Sequence, residues 1–481
     1  MRQKKLNSRL VYLEDLRRDF AKVPRRRIIS PISSFDDSST PGLDSAVDHV
    51  CLTNLLEFSV SLSDWTMGLE TLLPFLNTLW KQQQLGSNMK SLSYEASIFD
   101  LSLLFMPALR YGRSTVDNPL PLTLRNLTHV SFHLTRSSKI SLTSGGLVQT
   151  NLRKLLLLLE NQLLSLSITA STTQVDIGSL LKSFPYMPNL QRLSYHAPFS
   201  RGALLDPGNL STFIGLYAAH LRELRIRPLT IGGLADDDDG FDSSDSDNVE
   251  PRQLPTPRPA GDAYGSWLTR LRGGNRGLSG LILTELRSLE IRAADVGYPK
   301  GPADTKLLPP LHQVTPSLTT LSILDNQLSK VWVEAILDDL SATRGGCRLE
   351  SLSFCTLWLT PELVDLIYDK LPGLRVLSIE YTMVVNESDR QDGSSNVSIS
   401  VIPFSLSCMF SAFISQDSGF AHAMRGRKYP NWNLSRIRIA SLSLKCKFSH
   451  PDLTIMKAIR GCLHSDPILD TAQDCMCPKG T

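Results

Sequence analysis

Long hydrophobic runs are missing from this chain. The longest unbroken apolar stretch is Leu155–Leu159, whereas a helix that crosses a bilayer needs roughly 20 such residues. The sequence therefore predicts no membrane span. A dominant charge is missing too. Fifty basic and 47 acidic side chains leave a net charge of +3, too small an excess to make nucleic acid the expected partner. The eight cysteines, scattered from Cys51 to Cys477, lack the dense spacing of a disulfide framework and read as reduced thiols. The first 30 residues hold ten basic side chains and no apolar core of a secretory leader. Together these gaps predict a soluble chain of the cytoplasm, the nucleus or both.

Chemistry-bearing motifs are scarce as well. No G-x-S-x-G elbow, P-loop or dinucleotide-binding glycine pattern occurs. His129 and His133 lie on or beside a strand pattern, where four residues span about 13 Å, too far to share one ion. Cys475-x-Cys477 has no matching pair nearby. The expectation is a protein that is not an enzyme, with no cofactor and no metal.

What the chain does have is a repeated kernel: an apolar residue, two variable ones, an apolar residue, one variable residue, and a third apolar residue. In M-P-N-L-Q-R-L-S-Y-H-A the three are Leu190, Leu193 and Tyr195. The kernel recurs from Leu55/Phe58/Val60 through Leu374/Leu377/Ile379, and a last copy is read at Ile439/Leu442/Leu444. Neighbouring kernels are mostly 25 to 38 residues apart, the range in which strand-plus-helix units stack. The fold class is therefore α/β: a leucine-rich-repeat solenoid, a horseshoe with parallel strands on its concave face and helices outside.

Several helix boundaries can be read. Asp176 is placed to cap a helix over 177–184, and Asn209 one over 210–219. Residues 327–340 show helical spacing through Val331, Ala335, Ile336 and Leu340, with a stop near Gly345-Gly346. The domain reading is a capping helix over 1–29, a linker over 30–49, the solenoid over 50–465 and a poorly ordered tail over 466–481. Two disordered insertions interrupt the solenoid. One is the acidic and Pro-rich stretch 235–262, which cannot bury enough apolar surface to offset its ordering entropy. The other is the polar loop 386–398, followed by a predicted helix over 404–414.

With its irregular repeat lengths and its P-N-L-Q-R-L-S and P-G-L-R-V-L-S phrases, the repeat region resembles that of fungal F-box/leucine-rich-repeat proteins of the ribonuclease-inhibitor-like kind. The resemblance covers residues 52–444. It implies recognition of a protein target, and a role as substrate receptor of a ubiquitin ligase through a separate F-box that docks on the ligase adaptor. The residues before the repeats do not show the F-box opening Leu-Pro-x-Glu. The segment Leu359–Leu371 looks like a first F-box helix, but a kernel follows it directly, so it reads as a repeat helix. The alternative role is a ligase-independent scaffold or adaptor.

Strand alternation turns the kernel's variable residues outward. The position between the last two apolar residues is usually serine, interrupted by Arg225 and Glu290. The next outward column includes Glu95, His133, His196, Arg227, Arg292, Leu324 and Cys355, and ends at Lys445. Arg225, Arg227 and Arg292, with Glu290 among them and His196 on the strand before, form the candidate binding centre. Arginine forks suit carboxylate or phosphate groups, so an acidic or phosphorylated protein segment is the expected partner. The acidic stretch around 236–250 is placed to compete for it from within the chain.

Overall fold

The structure is a computed structural model. It describes residues 57–61, 89–97, 126–135, 145–171, 176–199, 204, 206–229, 261–269, 277–293, 308–342, 348–384, 419–442 and 449–470. The expected capping helix, the linker, the polar loop 386–398, the helix over 404–414 and the Gly345-Gly346 stop lie outside the described residues. Two compact units divide the chain: Met1–Leu221 with Pro228–Ala263, and Arg222–Arg227 with Tyr264–Thr481.

The first unit holds β1 (Glu57–Ser61), β2 (Ser91–Ser97), β3 (His129–Thr135), α1 (Gly145–Leu159), β4 (Ser165–Ala170), α2 (Ile177–Ser183), β5 (Arg192–Pro198) and α3 (Gly208–Leu216). Strands β1 to β5 pair in chain order, all parallel. Helices α1, α2 and α3 pack side by side in the same order. A parallel pair needs a crossover between its strands; α1 supplies it from β3 to β4 and α2 from β4 to β5.

The second unit begins with β6 (Glu223–Leu229), whose last two residues fall to the first unit. It continues through α4 (Gly261–Thr269, whose first three residues fall to the first unit), β7 (Ser288–Arg292), α5 (Leu311–Val314), β8 (Thr320–Leu328), α6 (Lys330–Ser341), β9 (Ser351–Leu359), α7 (Pro361–Lys370) and β10 (Val376–Val384). A helical stretch over 419–424 precedes β11 (Arg436–Leu442), β12 (Ser449–Pro451), α8 (Leu453–Arg460) and β13 (Ile468–Leu469). Strands β6 to β11 are parallel in chain order. At the end, β12 pairs antiparallel with the second half of β11, and β13 pairs parallel with its first half.

One backbone device repeats in both units. The carbonyl after the first apolar kernel residue accepts two successive amides from the next repeat. Lys90, Thr128 and Leu164 do so in the first unit; Arg222, Arg287, Thr319, Glu350 and Arg375 do so in the second, at 2.7 to 3.1 Å. These bonds help fix the register of each strand against its neighbour. Kernel residues from Met89 to Ile379 are at most 5% exposed. Burying each such side chain contributes about 1.5–3 kcal/mol, and the core lies between these kernels and the buried faces of the helices.

Asp176 caps α2, accepting from the Gly178 amide at 3.0 Å, and Thr360 caps α7 with Pro361 at the first helical position. The segment Leu359–Leu371 is thus the connection from β9 to β10. Five expectations need correction. The last kernel is Leu434/Ile437/Ile439, because Ile437 pairs with Leu377 and Ile439 with Ile379, and Arg375 receives the Ser435 and Arg436 amides. The phrase I-A-S-L-S-L imitated a kernel, but its Ala440–Leu442 stretch turns to meet β12. Gln327 and Leu328 belong to β8; α6 starts at Lys330 and buries Val333, Ile336, Leu337 and Leu340, leaving Val331 60% exposed.

Helix α3 starts at Gly208 rather than after Asn209, since Asp206 already accepts from the Gly208 amide at 2.8 Å. The tail begins later than 466, because Ile468 and Leu469 join the sheet beside Arg436 and Ile437. Finally, Gly261 and Asp262 are helical, so the described part of 235–262 belongs to α4; the rest lies outside the described residues. No helix among the described residues is long and apolar enough to cross a membrane.

Candidate partner-binding surface

On β6 and β7 the alternation turns Arg225, Arg227 and Glu290 outward, with Arg225 directly opposite Glu290. Glu290 sits between the two arginines. Its Oε1 accepts from Arg227 Nε, and its Oε2 lies 3.8 Å from Arg225 Nε. Arg225 Nη2 also meets Glu223 Oε1 at 2.5 Å. The expected open basic centre is therefore partly neutralised by the chain's own carboxylates. Both arginine side chains remain about half exposed, and Glu290 is the shielded member at 15%. Exposed pairs of this kind contribute about 1 kcal/mol or less.

Arg292 ends β7, and its backbone carbonyl accepts from the Tyr264 hydroxyl at 2.6 Å, tying α4 to that strand. Burial holds the Tyr264 phenol protonated, well above its ordinary range. His196 belongs to the first unit, beside Thr169 of β4. The structure thus brings Arg225, Arg227 and Glu290 together, sets Arg292 one residue beyond Ile291 on the same strand, and places His196 on β5.

The serine column is continuous across β1 to β5 and again across β8 to β10. Ser59, Ser93, Ser131, Ser167 and Ser194 are register partners across β1 to β5, and Ser322, Ser353 and Ser378 across β8 to β10. In the next column Glu95 and His133 approach to 3.6 Å. This column departs from expectation at two places. A bulge in β8 puts Gln327 rather than Leu324 opposite Cys355, and Cys355 is buried. At its end Ala440 replaces Lys445 beside Glu380, and Arg438 takes the serine position, 3.6 Å from Glu380.

A further outward column lies one outward position earlier on each strand. It precedes the serines and reads Glu57, Ser91, His129, Ser165 and Arg192 across β1 to β5. Ser165 is small enough for Arg192 to reach over it, and Arg192 Nη2 donates to His129 Nε2 at 2.7 Å. The His129 Nδ1–H then donates to Thr128 Oγ1 at 2.7 Å, leaving the Thr128 hydroxyl to point towards the Lys90 carbonyl. Burial, then the Arg192 guanidinium, hold the imidazole below its ordinary pKa. The signal was available: His129 and Arg192 each stand immediately before the second apolar residue of their kernels.

At the far end of the second unit, Arg427 donates from Nε to both Asp365 oxygens, at 2.9 and 3.1 Å, and from Nη2 to Glu362 at 3.0 Å. The Tyr429 hydroxyl donates to Asp365 at 2.5 Å, and the ring packs against Tyr368 and the fully buried Trp432. This cluster pins the segment before β11 onto α7. A shallow groove of about 380 Å³ lies beside it, between Arg425 and Lys457, with Cys462 in its lining. Burial pushes the Cys462 thiol up, away from the reactive thiolate form. No cluster of three or more metal-ligating side chains occurs among the described residues.

The chain matches no protein-family model and no curated protein sequence.

Proposed function

We propose that the chain is a leucine-rich-repeat solenoid that recognises a protein partner with the outward strand faces of its two units. The observation that carries this reading is the register. Successive kernels pair residue for residue, so small hydroxyl side chains align across neighbouring strands and charged ones stand out at intervals. Serine occupies little space and offers both a donor and an acceptor, which leaves such a face open to a partner's side chains. The partner bears carboxylate or phosphate groups, in keeping with the outward arginines. Glu290 and Glu223 yield their arginines to it, each at about 1 kcal/mol or less. No catalytic step belongs to this reading.

By the resemblance, the role is target selection for a ubiquitin ligase. The alternative is a scaffold or adaptor that acts without the ligase, and the position of Leu359–Leu371 as an ordinary repeat helix favours it. Mass spectrometry of proteins co-purifying with the tagged full chain separates the two. A reproducible partner together with the ligase adaptor and cullin supports the receptor; a reproducible partner without them supports the scaffold. Recovery of nucleic acid instead, with affinity falling steeply as salt rises, would overturn the protein-recognition reading.

A further inference from the structure

Among the outward arginines of the described strands, Arg192 is held by a histidine ring rather than by a carboxylate. Arg225 and Arg227 face Glu290 and Glu223, and Arg438 faces Glu380. Arg192 instead donates to the neutral imidazole of His129, an acceptor that does not cancel its charge. Its side chain is exposed and stands over serines: Ser165 beside it in the same column, Ser194 and Ser167 in the next. Guanidinium carries five N–H donors in a fixed fork, and the bond to His129 Nε2 uses one nitrogen.

We propose that Arg192 and His129 form an anion-binding point on the face of β3 to β5, which takes a carboxylate from an acidic segment of the partner protein. This rests on the reading of the strand face as a recognition surface. The charged groups around His129 are Arg192 from β5, Lys90 next to β2 and Glu57 from β1. With the imidazole neutral they sum to a single positive charge, which a carboxylate matches. A carboxylate brings one negative charge up to Glu57, whereas a phosphate brings nearly two and meets more of its repulsion. The Arg192 fork turns from the imidazole to the incoming carboxylate, His129 loses its cationic neighbour to an ion pair, and the ring takes up a proton to become a second donor.

Proton uptake fixes the direction of the pH effect. In the free protein, burial and Arg192 hold the His129 pKa down; the bound anion raises it. Affinity therefore climbs as pH falls through the raised value and levels off below the lowered one. The probe is a fluorescein-labelled hexaglutamate peptide, followed by anisotropy at constant ionic strength from about pH 8 to about pH 5.5, above the titration of its own carboxylates. The expected result is tighter binding at the acid end. Arg192→Ala should weaken binding about tenfold or more, the loss of one charge-assisted contact. His129→Gln, which keeps an acceptor, should bind with affinity that no longer responds to pH.

The C2 proton of His129, followed by NMR in the unmodified chain, should titrate at higher pH once peptide is added. Unchanged binding by Arg192→Ala, pH dependence that survives in His129→Gln, or an unmoved His129 midpoint would each overturn the assignment. Displacement of the peptide by inorganic phosphate at equal or lower concentration would overturn the choice of carboxylate. If the co-purified partner is still captured while these tests fail, the strand-face reading stands and only this site falls.

Discussion

Single residues separate packing from recognition. Leu166 is fully buried in the second apolar position of its kernel, so Leu166→Ala should cost about 2–5 kcal/mol of stability, read from chemical denaturation. Ser167, one step along the strand and turned outward, should tolerate alanine within about 0.5 kcal/mol. Tyr195 occupies a third apolar position, and its buried hydroxyl has no hydrogen-bond partner among the described residues. Tyr195→Phe should therefore be neutral or stabilising by up to about 1 kcal/mol, and a marked loss would mean that the hydroxyl is satisfied. His129 predicts a pH effect on stability. Its folded pKa lies below the ordinary value of about 6.5 for an unfolded chain. The unfolded state then takes up the proton first, so this group's contribution is complete above about pH 6.5 and is lost as pH falls towards the folded pKa. Thermal melts of His129→Gln should lose that part of the acid sensitivity.

At the scale of elements, the strands were legible and the helix faces only partly. A strand has a period of two, and the kernel samples it through successive buried residues, so most kernels name their strands without ambiguity. The final kernel misled because its true first residue, Leu434, follows Trp432 and Asn433 after a long gap, while I-A-S-L-S-L supplied a closer likeness of the motif. For α6, both Val331 and Val333 fit a helical spacing. Its start at Lys330 rather than Gln327 rotates the buried stripe onto Val333, Ile336, Leu337 and Leu340. For α3, both Asp206 and Asn209 are competent caps in the sequence; the structure puts Pro207 at the cap position, with Asp206 just before it accepting from the Gly208 amide. Where the cap was unambiguous, its contribution can be measured. Thr360 accepts from the Leu363 amide at 3.2 Å; Thr360→Ala should destabilise by about 1 kcal/mol, and Thr360→Ser should retain most of it.

For the whole molecule, the balanced charge and the absence of a dominant pocket motif left function to the pattern of outward columns. Most outward positions were legible, because strand period and kernel phase fix which residues share a face; the bulge in β8 and the shifted last kernel moved Leu324 and Lys445 out of the expected column. The contacts among those positions were not legible. That Glu290 would fold between Arg225 and Arg227, or that Arg192 would cross Ser165 to His129, depends on side-chain reach across strands about 4.8 Å apart. Sequence alone does not state which of several possible partners a long side chain will choose.

The most direct test of the account is partner capture by the full chain carrying one added glutamate on either strand face or either helical side. Ser167→Glu and Ser353→Glu load the outward strand columns of the two units with a charge that repels an acidic partner; Lys154→Glu and Val331→Glu alter exposed positions on α1 and α6. With thermal melts showing all four variants folded, the account predicts that at least one strand-face variant loses captured partner about tenfold while both helix-side variants retain it. Full capture by both strand-face variants, with loss in a helix-side variant, would contradict it and move recognition to the helical side of the repeats.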